Sequence, residues 1–288
     1  MRDGGLESAE IMAGLYGDGI IALKNAFSIG FADRMREDIE QLFEEARQIP
    51  GGALPRGPHR FYVEVQPERI SGFVEIVTHD WFVAVCEAVL GPDYRIVEVG
   101  FDIPFPGAAD QPWHRDFAMP QATSVGRRLN SLAFNLTSVD TVPAMGPLEI
   151  ALGTQWDLFE GCAKGMFPPR DLWPRYAARA VQKMPQRGDI SARSALTVHR
   201  GTANRSGEAR PVLVVGVDAP DANNAAHHDL QVTRGYARAL PPRVADHLTC
   251  REVDALEPVI QHHVIEGLLE PAYGAGIDDA ASDRPQAE

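Results

Sequence analysis

Two histidines and an aspartate carry the chemical interest of this chain. In Gln111-Pro-Trp-His-Arg-Asp116 an imidazole and a carboxylate stand two residues apart. On an extended strand that spacing puts His114 and Asp116 on one face, with Trp113 and Arg115 on the other. Taken alone, an H-x-D pair reads as a surface pair on an edge strand. A second imidazole changes the weighing. His199 lies in Thr197-Val-His-Arg-Gly-Thr-Ala-Asn204, at the end of an apolar strand-like run. Two imidazoles and one carboxylate on one face of an octahedron leave three positions open, the usual protein environment of non-haem Fe(II) in oxygenases. Zinc takes the same ligands, so residue type leaves the metal open.

Arg210 follows His199 after one turn and opens the strand Val212-Leu-Val-Val215. A guanidinium brought deep beside a metal needs an anion, and its planar fork matches a carboxylate bidentately. Arg210 therefore points to an acidic small molecule bound next to the metal, the alternative being a salt bridge to one of the chain's 40 acidic residues. The other histidines read as structural or surface groups. His227-His228 and His262-His263 are adjacent pairs that chelate poorly, His79 and His247 lie outside any motif, and His59 sits in a Gly/Pro loop within reach of a ligand.

These groups need a scaffold. Residues 8–49 read as helix, short strand (Gly19–Leu23) and helix. The second helix places Phe31, Met35, Ile39, Leu42, Phe43 and Ala46 on one face. A Gly/Pro loop, a strand at Phe61–Val65 and a short helix carrying Trp81, Phe82, Val85, Cys86 and Leu90 complete a largely helical N-terminal part, about 8–92. Between 94 and 217 short strands are expected at 95–103, 113–118, 130–137, 147–152, 189–192, 195–200 and 211–217. Such a series without intervening helical periods predicts an antiparallel double sheet or barrel. A helical extension is expected over about 219–275, with Leu256, Val259, Ile260, His263, Val264 and Leu268 on one face. No linker divides the chain, so 1–288 reads as a single domain. The C-terminal apolar face could pack on its own barrel or on a second subunit, and its apolar content favours a homodimer.

Composition sets outer bounds. The 288 residues carry 27 basic against 40 acidic side chains, a formal charge of −13, which argues against a general nucleic-acid binder and, more weakly, against docking on an anionic membrane surface. No apolar run approaches a membrane span and no secretory leader is evident. Cys86, Cys162 and Cys250 are far apart, which fits a reducing cytoplasm rather than a disulfide framework.

Four stretches together resemble the phytanoyl-CoA dioxygenase family of Fe(II)/2-oxoglutarate oxygenases, in its natural-product branch. They are Asp18-Gly-Ile-Ile21, His114-Arg-Asp116, Gly146-Pro-Leu-Glu-Ile-Ala-Leu-Gly153, and Gly188-Asp189 followed by His199, Asn204, Ser206 and Arg210. The resemblance implies a mainly β fold with flanking helices around a double-stranded β-helix (jelly-roll, cupin-like) core. It implies iron on His114, Asp116 and His199, the distal carboxylate of 2-oxoglutarate on Arg210, and Gln111 in contact with that co-substrate. It further implies that 2-oxoglutarate and O2 are consumed, succinate is formed, and a C–H bond of a small molecule is oxidised, hydroxylation being the default. The family's usual Pro-Gly-Ser/Thr-His turn is here Leu152-Gly-Thr-Gln155. Asp116 is intact, whereas halogenating members replace that carboxylate.

Three segments could roof the site: 50–66, 117–130 and 156–187. They offer Arg56, His59, Arg60 and Tyr62; Phe117, Met119 and Arg127; and Trp156, Phe159, Met166, Phe167 and Trp173. A mixed aromatic and basic roof suits an organic acid or a hydrophobic natural product. Two other readings stay open on the residues alone: a jelly-roll zinc hydrolase or isomerase, and an inactive small-molecule-binding barrel.

Overall fold

The computed structural model describes residues 8–159 and 165–260. Its helices are α1 (Ser8–Gly17), α2 (Ile29–Arg47), α3 (Phe73–Val77), α4 (Asp80–Leu90), α5 (Gln121–Ser124), α6 (Trp173–Arg179), α7 (Arg234–Ala239) and α8 (Pro242–Ala245). Its strands begin with β1 (Ile20–Leu23), β2 (Leu54–Pro55), β3 (Arg60–Glu64), β4 (Arg95–Pro104), β5 (Ser131–Thr137) and β6 (Leu148–Ala151). They continue with β7 (Ala180–Lys183), β8 (Ile190–Ser194), β9 (His199–Gly201), β10 (Val212–Asp218), β11 (Gln231–Thr233) and β12 (Arg251–Val253).

Seven strands form one antiparallel sheet in the order β1-β8-β5-β10-β4-β3-β2, and a smaller sheet runs β7-β6-β9. An antiparallel bridge between His114 and His199 adds the H-x-D segment to the free side of β9. From β4 onward the chain crosses between the sheets repeatedly: large (β4), small (His114), large (β5), small (β6, β7), large (β8), small (β9), large (β10). That alternation is the double-stranded β-helix.

The large sheet has two chemically distinct faces, written in strand period two. Outward, Val99, Phe101 and Ile103 of β4, Leu132, Phe134 and Leu136 of β5, and Leu213, Val215 and Val217 of β10 are buried in the main core. Helices α2 and α4 cover them. The Ser28 hydroxyl caps α2 by accepting from Phe31 N at 3.1 Å, and the six apolar residues read from its periodicity are all buried. Phe82 of α4 packs on Phe134 with ring centroids 4.1 Å apart, and Trp81 meets the same ring edge-on. Inward, β5 presents Ala133, Asn135 and Thr137 and β10 presents Val212, Val214, Gly216 and Asp218 to a cavity between the sheets.

Three expectations need correction. The segment 113–118 is not a regular strand: among its residues the structure has only the His114 bridge, because its backbone pairs are divided between His199, Ala195 and Met166. Residues 195–198 form a turn, and β9 begins only at His199. The stretch after Asp218 is less helical than its pattern suggests: it holds α7, α8 and a parallel pair of strands, β11 and β12, and 256–260 are not helical. The rest of the expected C-terminal helix, with His262 and His263, lies outside the described residues, as does Cys162. The N-terminal part also contributes β1, β2 and β3 to both edges of the large sheet.

Candidate metal centre

The backbone brings the three candidate ligands together. His114 N donates to His199 O at 3.0 Å and His199 N returns the bond to His114 O at 2.8 Å, so the two imidazoles stand side by side with centroids 4.4 Å apart. Asp116 N donates to Ala195 O at 2.9 Å, which carries its carboxylate to the same place. One ligand atom from each of His114, Asp116 and His199 lies within 4.8 Å of the others. The side chains between and before them leave the site, since Arg115 spans the Phe159 ring and Trp113 packs on Tyr176.

The tautomers suit a metal. His114 Nδ1 donates to Pro112 O at 2.8 Å and His199 Nδ1 to Thr197 O at 2.9 Å, leaving both Nε2 lone pairs for a ligand. Burial pushes the His114 imidazole down to about 4. Burial, with Arg193 and His114 beside it, holds His199 well below its ordinary value. Both rings are therefore neutral at physiological pH. For Asp116 burial acts upward, but the charge and hydrogen bonds of Arg193 outweigh it and keep the carboxylate ionised. Arg193 grips it with two bonds, Nη1 to Oδ2 at 2.6 Å and Nη2 to Oδ1 at 3.2 Å.

Arg210 sits where the motif residues aim it. Asn204 donates to Pro104 O at 2.9 Å and Glu208 O at 2.8 Å and accepts from Ser206, which fixes the 204–210 turn. Gly146, at φ 70°, has the Thr202 and Ala203 backbone where a Cβ would stand. Its carbonyl and that of Met145 take Arg210 Nε at 3.1 and 3.3 Å. The Arg210 guanidinium is 5% exposed and forms no ion pair among the described residues. Burial and the nearby Arg60 lower it to about 10, still charged at neutral pH. The structure thus excludes the salt-bridge alternative and leaves a buried cation facing the cavity. Gln111 lines the same cavity, its Oε1 accepting from Gly201 N at 2.9 Å. Asp189 of the Gly-Asp motif is structural, tying Lys24, Asn25 and Gln186 to the start of β8.

The cavity is about 710 Å³ and is lined by Gln111, His114, Asp116, His199 and Arg210. Of the expected roof residues, Arg56, Arg60, Tyr62, Phe117 and Met166 line it as well. His59 is exposed, Trp156 bonds Tyr16 O through Nε1, Arg127 lies over the Trp156 ring, and Phe159 and Trp173 pack in a satellite cluster with Trp113. Phe167 stands beside His114 at 6.0 Å, and Met119 is not in the wall. Gln155, where the family has His, is fully buried and donates to the last carbonyls of α1, from Leu15, Tyr16 and Gly17. His79 accepts from Trp81 N at the start of α4, and His247 stacks on Tyr94.

A family model described as phytanoyl-CoA dioxygenase (PhyH) matches residues 15–212. The chain belongs to the phytanoyl-CoA dioxygenase family. As a family member it is a non-haem iron 2-oxoglutarate-dependent oxygenase that uses Fe(II), 2-oxoglutarate and O2. EctD from S. alaskensis, solved with 2-oxoglutarate and 5-hydroxyectoine, superposes with a TM-score of 0.59 at 15% identity, over 76% of this chain and 78% of that one. SnoK, a non-heme alpha ketoglutarate dependent carbocyclase from nogalamycin biosynthesis, gives 0.59 at 19% identity over 75% and 88%. AviO1 from Streptomyces viridochromogenes Tue57 gives 0.55 at 18% over 76% and 98%. At such identities the likeness is one of fold. No curated protein matches the chain in sequence.

Sequence reasoning missed several cavity residues. Arg193 reaches Asp116 from a strand far along the chain, and no local spacing marks it. Glu98, Glu64 and His228 also share one wall with Tyr62, Glu98 and Glu64 brought together by the register of β3 and β4.

Proposed function

We propose that this dioxygenase hydroxylates a C–H bond of a small molecule held in the barrel, with His114, Asp116 and His199 holding the iron and Arg210 and Gln111 binding 2-oxoglutarate. The observation that carries the assignment is the three ligand atoms within 4.8 Å, each imidazole having its Nδ1 occupied by a backbone carbonyl. Neutral imidazoles and an ionised carboxylate are the donor set Fe(II) prefers in such sites. When bound, the metal and co-substrate supply the oxidising chemistry.

The chain supplies position and dryness. The Pro112 and Thr197 carbonyls fix both imidazole rings, and Arg193 fixes the Asp116 carboxylate. Arg210 offers a buried fork to the distal carboxylate of 2-oxoglutarate, oriented by the Met145 and Gly146 carbonyls. Leu148, Met166, Val212 and Val214 form an apolar wall that keeps water from the reacting centre. We place the enzyme in the cytoplasm, in keeping with the free thiols of Cys86 and Cys250.

The test is succinate formation from 2-oxoglutarate with Fe(II) in air. Wild type should turn over slowly without its substrate, and His199→Ala and Asp116→Ala should fall to background. Unchanged succinate formation in His199→Ala would overturn the ligand assignment.

A further inference from the structure

The roles assigned above use one end of the cavity. Arg210, two residues before β10, and Asp218, at its end, stand eight residues apart, about 26 Å on an extended chain. Glu98 of β4 lies opposite Gly216, where an added Cβ would come 2.7 Å from its Oε2, so the missing side chain lets the carboxylate lie across the sheet. Tyr62 crosses Gly100 in the same way and donates its hydroxyl to Glu98 Oε1. His228 Nδ1 bonds Glu64 Oε1 at 2.8 Å, and its Nε2 is 4.0 Å from Glu98 Oε2. Asp218, 2% exposed, accepts among the described residues from neutral donors of Asn224 and Ser131.

The charges at this end do not balance. One imidazolium, His228, faces three carboxylates: Glu64, Glu98 and Asp218. Among the described residues neither Glu98 nor Asp218 pairs with a Lys or Arg. Of the other cations in the wall, Arg193 pairs with Asp116, Arg60 with Asp102 and Lys24 with Asp189, Arg56 lies over the Tyr62 ring at 3.9 Å, Arg210 belongs to the opposite end, and Lys183 stands on β7 of the small sheet. A separate observation points to a ligand. Asn130 is 2% exposed, lines the cavity, and has no partner for Oδ1, although its backbone oxygen takes Ala219 N at 2.8 Å beside Asp218. A buried acceptor without a donor is costly and rare.

We propose that this end binds the protonated nitrogen of a basic substrate, a primary or secondary amine or an amidine, with Glu98 and Asp218 as counter-charges and Asn130 Oδ1 as a further acceptor. The proposal rests on the iron-site reading above. Register fits it to a small molecule: Glu98, Gly216, Ala133 and Arg193 stand on one rung across four strands, and Arg193 holds Asp116. Three strand spacings separate the Glu98 backbone from that of Arg193, about 14 Å. A substrate anchored at Glu98 thus extends toward His114, Asp116 and His199. An organic acid, one of the two classes expected from the roof residues, would meet Glu98 and Asp218, neither of which pairs with a Lys or Arg among the described residues.

The experiment uses full-length protein and matched probes: phenylalkylamines with two to five methylenes, the corresponding alcohols and the corresponding carboxylic acids. Binding is measured by calorimetry on the metal-free protein. At least one amine should bind about tenfold tighter than its alcohol and acid, the size of one charge-assisted contact. Glu98→Gln and Asp218→Asn should each remove most of that preference. A separate anaerobic titration with Fe(II) and 2-oxoglutarate reports on the iron end and on folding in every variant. If the iron end titrates normally while no amine outbinds its neutral counterpart, or the preference survives in both variants, the amine site is wrong and the iron site stands. If the iron end fails to titrate in folded wild type, the underlying reading fails instead.

Discussion

Arg210, buried, and His228, partly buried, are the two cations whose surroundings make the sharpest demands. Arg210 has carbonyls on Nε and no ion pair, so its fork is free for an incoming carboxylate. Removing a bidentate charged contact in Arg210→Ala should weaken 2-oxoglutarate binding about 10- to 100-fold. Arg210→Lys should recover only part of it, because a point charge lacks the fork; equal affinity in wild type and Arg210→Ala would contradict the role. His228 is raised to about 9 from an ordinary value of 6.5: burial acts downward, but Glu98, Glu64 and Asp218 outweigh it. A folded value above the unfolded one means the stabilisation is complete below the unfolded value and drains away as pH rises toward the folded one. Thermal stability should therefore decline between about pH 6.5 and 9, and His228→Gln should flatten that slope. An unaltered profile in the variant would remove His228 as its source.

At the scale of elements, the helix-covered face of the large sheet carries the stability and the inner face carries the chemistry. Phe134 of β5 is fully buried beneath α4, so Phe134→Ala should cost about 3–5 kcal/mol in denaturant unfolding. Loss of less than 1 kcal/mol, on the order of a surface change, would mean that α4 does not seal this face. The same elements show what could be read beforehand. Helix α2, with its six apolar positions, and strands β4, β5 and β10 follow their hydrophobic periods closely. The H-x-D segment did not, because one bridge and scattered backbone bonds to His199, Ala195 and Met166 hold it. Its side chains still converge, since the bridge to His199 sets their direction. Arg193 had no local signal: its partner, Asp116, comes from the opposite sheet. The acidic wall was hidden for the same reason, since no local motif marks Glu98 or Asp218 and only the pairing of β4 with β10 sets them on one rim.

For the whole molecule, the family motifs divide into those that touch the cavity and those that build its frame. Gly188-Asp189 and Asn204-Arg-Ser206 tie strand ends, Asp189 also bordering the cavity, while His114, Asp116, His199 and Arg210 line the same space of about 710 Å³. That space is electrically polar, with Arg210 at one end and Glu98 and Asp218 at the other. The overall charge of −13 says nothing of this internal axis. Among the described residues no helix is long and apolar enough to cross a membrane. The central claim is one iron site that takes 2-oxoglutarate, and anaerobic titration of metal-free protein with Fe(II) and 2-oxoglutarate tests it most directly. A visible metal-to-ligand charge-transfer band should grow to one equivalent, vanish in His199→Ala and require more 2-oxoglutarate in Arg210→Ala. A folded, iron-loaded wild type that shows no band, or a band indifferent to both substitutions, would contradict the account.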